Sequence, residues 1–362
     1  MHFSLHRPIG PSAHRPIGPS AHRPIGPSAH RPIGFALSLI ALGLAALIPT
    51  MARAQTQDLF VSNQNSNTIS RFAGTGPGTF STTATTFATG LNGPQGLAFD
   101  AQGNLFAASN GNSITKFTST GAGTFGAATT FATGLNAPYG LAFDARGDLF
   151  VANFSGNSIT EFASTGAGTF GAATTFATGV TSPVGLAFNA GGDLFAVNDI
   201  PGGSITEFAS TGAGTFGTPT TLTGGLNSPF GLAIDARGDL FVANFNGNSI
   251  TEFASTGAGT FGAATTFATG LNRPYGLAFD ARGDLFASIY AGGTITEFAS
   301  IGAGTFGAAQ TVETGLAGPT FLAFGPPVSA PVPEASTTVS LGLLLALGLG
   351  GLVVARKRRG RA

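Results

Sequence analysis

The stretch Pro138-Tyr139-Gly140-Leu141-Ala142-Phe143-Asp144-Ala145-Arg146-Gly147-Asp148-Leu149-Phe150-Val151-Ala152 reads as two short strands joined by a tight turn. Leu141 and Phe143 alternate with small residues, as a strand with one buried face requires. Asp144 to Gly147 has turn chemistry, because Asp bonds its own backbone and Gly accepts a positive φ. Working outward, residues 158–162 (Ser-Ile-Thr-Glu-Phe) supply a third strand with β-branched Ile159 and Thr160. Residues 174–178 (Thr-Thr-Phe-Ala-Thr) supply a fourth, and Gly179 leads into the next copy of the same pattern.

That pattern of about 45 residues recurs along the chain. The first-strand block starts at Gly96, Gly140, Gly185, Gly231 and Gly276, with a worn copy at Phe321-Leu322-Ala323-Phe324. The second starts at Asp58, Asn104, Asp148, Asp193, Asp239 and Asp284, and the third ends at Phe72, Phe117, Phe162, Phe208, Phe253 and Phe298. Each block therefore occurs six times, and no copy is long enough to bury a core alone. Four short strands per repeat, with no helical periodicity between them, predict an all-β, six-bladed β-propeller of four-stranded blades over residues 55–325. The domain opens with a second-strand block and ends with a lone first-strand block. The last strand is thus expected to complete the first blade and close the ring, which removes open sheet edges. The block P-x-G-L-A-F-D-A-x-G-D/N-L-F-V/A resembles the NHL repeat and related six-bladed propellers, a likeness that implies the fold and says little of activity.

Both ends read as addresses. Residues 6–34 are an octapeptide array, H-R-P-I-G-P-S-A, too rich in Pro and Gly to build a core. An apolar run, residues 35–49, and Ala52-Arg53-Ala54 follow, so residues 1–54 are read as array plus secretory signal with cleavage between Ala54 and Gln55. A Pro-rich linker spans residues 326–335 and contains Val332-Pro333-Glu334-Ala335. Residues 336–362 then hold an apolar segment of about 18 residues, long enough to span a bilayer as one helix, and a cluster Arg356-Lys357-Arg358-Arg359 that would stay cytoplasmic. This tail resembles the PEP-CTERM sorting signal, with Ala335 in place of the second proline. The resemblance implies handling by an exosortase-type sorting machinery, transient anchoring in the membrane, and residence at the cell surface or in extracellular matrix.

All five histidines lie in the first thirty residues, and the chain has no cysteine. The mature protein therefore has no histidine acid, base or ligand and no thiolate chemistry. Within residues 55–325 six basic side chains stand against fifteen acids, a balance unsuited to nucleic acid. Gluconolactonase-like propellers hold a divalent metal with Glu, Asn and Asp, so a calcium-dependent lactonase or hydrolase is the catalytic alternative that the resemblance implies. Nearly every acid here belongs to a repeated block, however, and rings of like groups do not make a reaction centre. The expectation is no enzyme, no cofactor and no metal.

The variable x of P-x-G (Gln95, Tyr139, Val184, Phe230, Tyr275, Thr320) is flanked by near-constant residues, as binding loops on a rigid scaffold are. The second-to-third connection adds Phe154, Phe245 and Tyr290, and Asn136, Asn227 and Asn272 precede the prolines. Aromatic faces beside amides suit sugar rings, so these nine residues (Tyr139, Phe230, Tyr275, Phe154, Phe245, Tyr290, Asn136, Asn227, Asn272) are the candidate site for an exopolysaccharide or a surface protein. Two alternatives remain open: the aromatics plug the channel while the asparagines make turns, or the domain is a purely structural surface repeat.

Overall fold

The structure, a computed structural model, describes residues 55–329 apart from 77, 122, 213, 258 and 303. The octapeptide array, the secretory segment up to Ala54, the sorting motif at 332–335 and the C-terminal apolar segment lie outside the described residues.

Six four-stranded antiparallel sheets form the blades of a β-propeller. Blade 1 is made of Pro319–Phe324, Leu59–Asn63, Thr68–Phe72 and Thr85–Ala88, so the last repeat's strand completes the first blade as the block order predicts. Leu59 pairs with Phe324 and Val61 with Leu322 across that seam. A two-stranded ribbon, Gln55–Thr56 with Val328–Ser329, ties the two ends together beyond it. In blade 3 the strands are Pro138–Phe143, Leu149–Asn153, Ser158–Gly166 and Thr169–Thr178. The third and fourth strands run further than the sequence predicts, into a bulged hairpin through the Gly-x-Gly segment. Blade 2 does the same through Ser113–Gly121 and Thr124–Thr133, while in the other four blades the extension is a separate small ribbon, for example Ser210–Gly212 with Thr215–Phe216 in blade 4.

The first strands stand side by side around the axis, and glycine is what lets them. A Cβ on Gly140 would lie 2.3 Å from the Val184 carbonyl oxygen, and one on Gly96 2.1 Å from that of Tyr139. Gly185, Gly231 and Gly276 meet the next strand's backbone in the same way, at 2.5, 2.2 and 2.6 Å. The G of P-x-G, present in five copies and replaced by Phe321 in the sixth, is thus a close-approach residue, not a turn residue.

The apolar cores lie between blades rather than within them. Phe106 of blade 2 meets Phe131 of its own outer strand, Phe143 of blade 3 and Phe170 of the blade 3 hairpin, with centroids 5.0, 5.2 and 5.7 Å apart and edge-to-face geometry. The same constellation recurs around Phe60 and Phe241. Each such pair adds about 0.5–1.5 kcal/mol to the burial of its area. Six clusters of this kind, one per interface, hold the ring. The G-T-F phenylalanines (Phe80, Phe125, Phe170, Phe216, Phe261, Phe306) were not singled out from sequence, yet each packs its hairpin against its own blade and the one before.

Acids of the repeated blocks are occupied locally. Asp144 Oδ1 accepts from the Asp148 and Arg146 amides, closing the first turn. Asp148 Oδ1 in turn accepts from the Ser164 amide at 2.6 Å, fixing where the hairpin leaves the blade. Arg146 spans Asp144, Asp148 and Glu161, and Arg237 and Arg282 repeat the arrangement with the acids of blades 5 and 6. Blade 4 departs from this, with Asn189 and Gly191 standing where blade 3 has Asp144 and Arg146. An opening of about 250 Å³ there is lined by Asn189, Gly191, Asp193 and Gly259. Burial, with Asp193 nearby, raises the pKa of Glu207 despite a hydrogen bond from Thr220. Restoring the repeat with Gly191→Arg is expected to stabilise the protein by about 0.5–1.5 kcal/mol, from lost unfolded-state freedom and partly exposed ion pairs. A melting temperature equal to or below that of the parent would show that no guanidinium position is vacant there.

Candidate functional site: the aromatic mouth of the channel

One end of the channel is built by two loops per blade that are tied to each other. The residue after the second strand donates its amide to the residue before the proline: Phe154 to the Ala137 carbonyl at 2.9 Å, Phe245 to Ser228 at 3.0 Å, Tyr290 to Arg273 at 2.9 Å. Those pre-proline residues take a left-handed conformation, with φ of 50° at Ala137, 51° at Ser228 and 59° at Arg273. The turn asparagine of the preceding blade helps hold two of them there. Asn112 Oδ1 accepts from the Ala137 amide at 2.9 Å, and Asn248 Oδ1 accepts from Arg273 at 3.0 Å. These asparagines, with Asn67 and Asn157, were not picked out from sequence. Their signal was present, since an Asn immediately before the S/T-I-T/S block recurs and itself adopts positive φ.

The pairing brings each x residue beside the aromatic of its own blade. Tyr139 lies 5.0 Å from Phe154, Phe230 5.0 Å from Phe245, and Tyr275 stacks on Tyr290 at 5.9 Å. Blades 5 and 6 merge their pairs, with Phe230 4.7 Å from Tyr275 and Phe245 5.7 Å from Tyr290. All six predicted aromatics therefore meet on the channel-mouth face, and five of them are half-buried. Tyr275 is the sixth, only 4% exposed, and lies beneath the others. Its hydroxyl crosses the channel to donate to Gln95 Oε1 at 2.9 Å, which makes it the floor of the mouth. Burial, and secondarily Tyr139, Tyr290 and Asp199, raise its pKa well above the ordinary tyrosine value.

Blades 1 and 2 supply a polar arc instead, and blade 4 places Asp199 between the aromatic pairs of blades 3 and 5. Tyr290 donates to Asn65 Oδ1 at 3.2 Å, and Gln95 Nε2 donates to Asn110 Oδ1 at 3.4 Å. Asp199 accepts from the Ser228 hydroxyl at 2.7 Å. It is close enough to Tyr139 that, after burial, it is the chief cause of that phenol's raised pKa. Arg273 lies over the Phe245 ring at 5.3 Å and brings a cation to the rim. Asn136, Asn227 and Asn272 are exposed on the outer loops. Asn136 lies beside Gly156 and Asn227 beside Gly247. Among the described residues their side chains carry no hydrogen bond within the protein, so their amides face water.

Glu313, like Asp199, belongs to no repeated block. In register it faces Ile295 as Ala177 faces Ile159, so a carboxyl fills an alanine slot and is only 6% exposed. Burial lifts its pKa from 4.5 to about 7. Between those values the folded chain keeps a proton that the unfolded chain releases, so stability falls as pH rises through this window and stays lower above it. Glu161, Glu207, Glu252 and Glu297, also raised by burial, add slopes of the same sign. Glu313→Ala is expected to melt close to the parent at pH 4 and clearly above it at pH 8. Parallel melting curves across that range would contradict this assignment.

No protein-family model and no curated protein matches the chain. Solved structures do match in fold. One is a chain from a nidogen/laminin complex, at 18% identity and TM-score 0.60, with 75% of this chain and 98% of that one covered. Another is a streptogramin B lyase, at 16% identity and TM-score 0.54, covering 75% and 87%. A third is a gluconolactonase of Xanthomonas campestris, at 17% identity and TM-score 0.50, covering 72% and 85%. At such identities the likeness establishes the six-bladed propeller alone. The expectation that the chain is not an enzyme is corrected to this extent: the architecture is one that a lyase and a gluconolactonase share, so it does not exclude catalysis. The physical ground for that expectation also fails. Near-identical blades do not present only rings of like groups, since the mouth brings Asp199, Gln95, Arg273 and three tyrosines into one neighbourhood.

Proposed function

We propose that this protein is exported to the cell surface or surrounding matrix, held at least transiently by its sorting tail, and binds polysaccharide at the aromatic mouth. The carrying observation is that the aromatic pairs of blades 3, 5 and 6 share this mouth with the amides of blades 1 and 2 and the Asp199 carboxylate of blade 4. Pyranose rings are amphipathic in the same sense: their C–H faces stack on aromatics while their edges exchange hydrogen bonds. Tyr139, Phe154, Phe230, Phe245 and Tyr290 supply the stacking surface, Tyr275 supports it from below, and Asp199 and Asn65 flank it. Asn136, Asn227 and Asn272 extend the polar rim outward. A protein ligand is the second reading, favoured by the nidogen/laminin neighbour and by the aromatic and arginine content of the rim.

The direct test is retention of the purified protein on immobilised exopolysaccharide from its source, beside a Tyr139→Ala, Phe245→Ala variant. Retention lost in the variant supports polysaccharide binding at the mouth. Equal retention moves the site elsewhere, and no retention of either protein favours a protein ligand.

A further inference from the structure

Blade 4 carries the longest second-to-third connection among the described residues, and blade 2, where Ser109 pairs with Ser113, carries the shortest. Asn198 and its hydroxyl partner Ser204 are 6 residues apart, whereas Asn153 and Ser158, or Asn244 and Ser249, are 5 apart. The longer loop, residues 199–203 (Asp-Ile-Pro-Gly-Gly), stands as a wall with a cleft on each side. Toward blade 5 the cleft is about 300 Å³ and is lined by Asp199, Asn227, Ser228 and Asn246. On the other side it is about 510 Å³, bounded by Thr181, Asn198, Ser204, Thr206, Thr221 and Thr223, with Val180, Ile200 and Pro201 as apolar wall.

The larger cleft has a polar group with an unmet need. Asn198 is 3% exposed; its Nδ2 donates to Thr206 Oγ1 at 2.9 Å and to Ser204 Oγ at 3.1 Å, while its Oδ1 has no partner. In blade 5 the equivalent oxygen, Asn244 Oδ1, accepts from the Asn227 amide at 3.0 Å. Asn63 and Asn153 share the unpartnered oxygen, so that atom alone does not single out blade 4. The longer loop, the volume and the ring of hydroxyls do. A buried acceptor left bare costs about 1–3 kcal/mol, so the wall of this cleft carries a local cost beside its ring of hydroxyls.

We propose that this cleft is a second ligand site, and that it takes an uncharged, hydroxyl-rich molecule of the size of one sugar ring. No charged side chain lines it, so an ionic ligand would be desolvated without compensation. A neutral pyranose instead offers either hydrogen-bonding role to the four threonines and Ser204, and a C–H face to Ile200 and Pro201. A volume of about 510 Å³ lies within the range of small-molecule pockets, roughly 300–1,000 Å³. The site does not depend on the mouth. Its assignment to polysaccharide, as a lateral subsite for a chain that also reaches the mouth, rests on the function proposed above.

The test is saturation-transfer NMR on the whole protein with glucose, galactose and mannose as separate probes. It is repeated on Thr223→Trp, which fills the cleft from an exposed position, and on the Tyr139→Ala, Phe245→Ala variant. We expect binding of at least one neutral sugar, weakened about tenfold or more in Thr223→Trp and retained in the mouth variant. Melting curves confirm that Thr223→Trp is folded. Absence of binding by any probe, or binding unchanged in folded Thr223→Trp, overturns the proposal. Polysaccharide retention that depends on Tyr139 and Phe245 while the cleft shows nothing would sink the cleft alone and leave the mouth reading standing.

Discussion

Valine at Gly140 is expected to lower the melting temperature by about 10 °C or more, or to prevent folding outright. The new Cβ would stand 2.3 Å from the Val184 carbonyl oxygen and 3.0 Å from the Leu186 amide nitrogen, both backbone atoms of the next blade. Overpacking in an ordinary core costs about 1–3 kcal/mol because side chains and backbone give way a little. Here the obstacle is backbone, and six first strands closed into a ring cannot move apart at one contact without straining the others. A loss near 4 kcal/mol corresponds to roughly 8–16 °C for a domain of this class. Gly171→Ala is the matched control, since its nearest neighbour would be 3.7 Å away and its φ is not positive. Such a surface change should stay within about 0.5 kcal/mol. Thermal unfolding followed by circular dichroism compares the two; equal melting temperatures would refute the close-approach role of the P-x-G glycines.

Truncating Tyr139 and Phe245 together is expected to weaken polysaccharide binding by about 2–4 kcal/mol, roughly 30- to 1,000-fold. The two rings belong to blades 3 and 5 and lie on either side of the Asp199 blade, so a sugar chain crossing the mouth would lose both stacking surfaces. Tyr275 is left intact in this experiment. At 4% exposure, with its hydroxyl on Gln95, it closes the channel, and its removal would confuse loss of contact with collapse of the mouth. Isothermal titration with oligosaccharides from the source polymer measures the change. A loss below threefold would show that these rings fill the channel and bind nothing.

Much of this architecture was legible beforehand, for a local reason. Each hairpin rests on neighbours in sequence: alternation in Leu141 and Phe143, turn chemistry at Asp144 and Gly147, and six recurrences that count the blades. Ring closure was legible too, because the stray first-strand block at 321–324 had one vacancy to fill. The role of the G-T-F phenylalanines was hidden, since Phe170 meets Phe106 across a blade boundary and nothing near Phe170 announces it. The site was legible in part. The variable x position pointed to the mouth, but the separation of exposed Asn136 from buried Tyr275 did not follow from residue type.

By itself the sequence determined the strands, their turns, the number of blades and the order in which they close, because these follow from periodicity and from contacts within one repeat. Only the tertiary structure decided which side chains converge. Tyr275 and Gln95 are 180 positions apart and share a hydrogen bond because closing the ring brings the mouth-facing ends of its blades to one axis. Asn198 opens on a cleft for a similar reason: one extra residue in a loop is a small change in sequence, and its consequence depends on what the neighbouring blade leaves beside it.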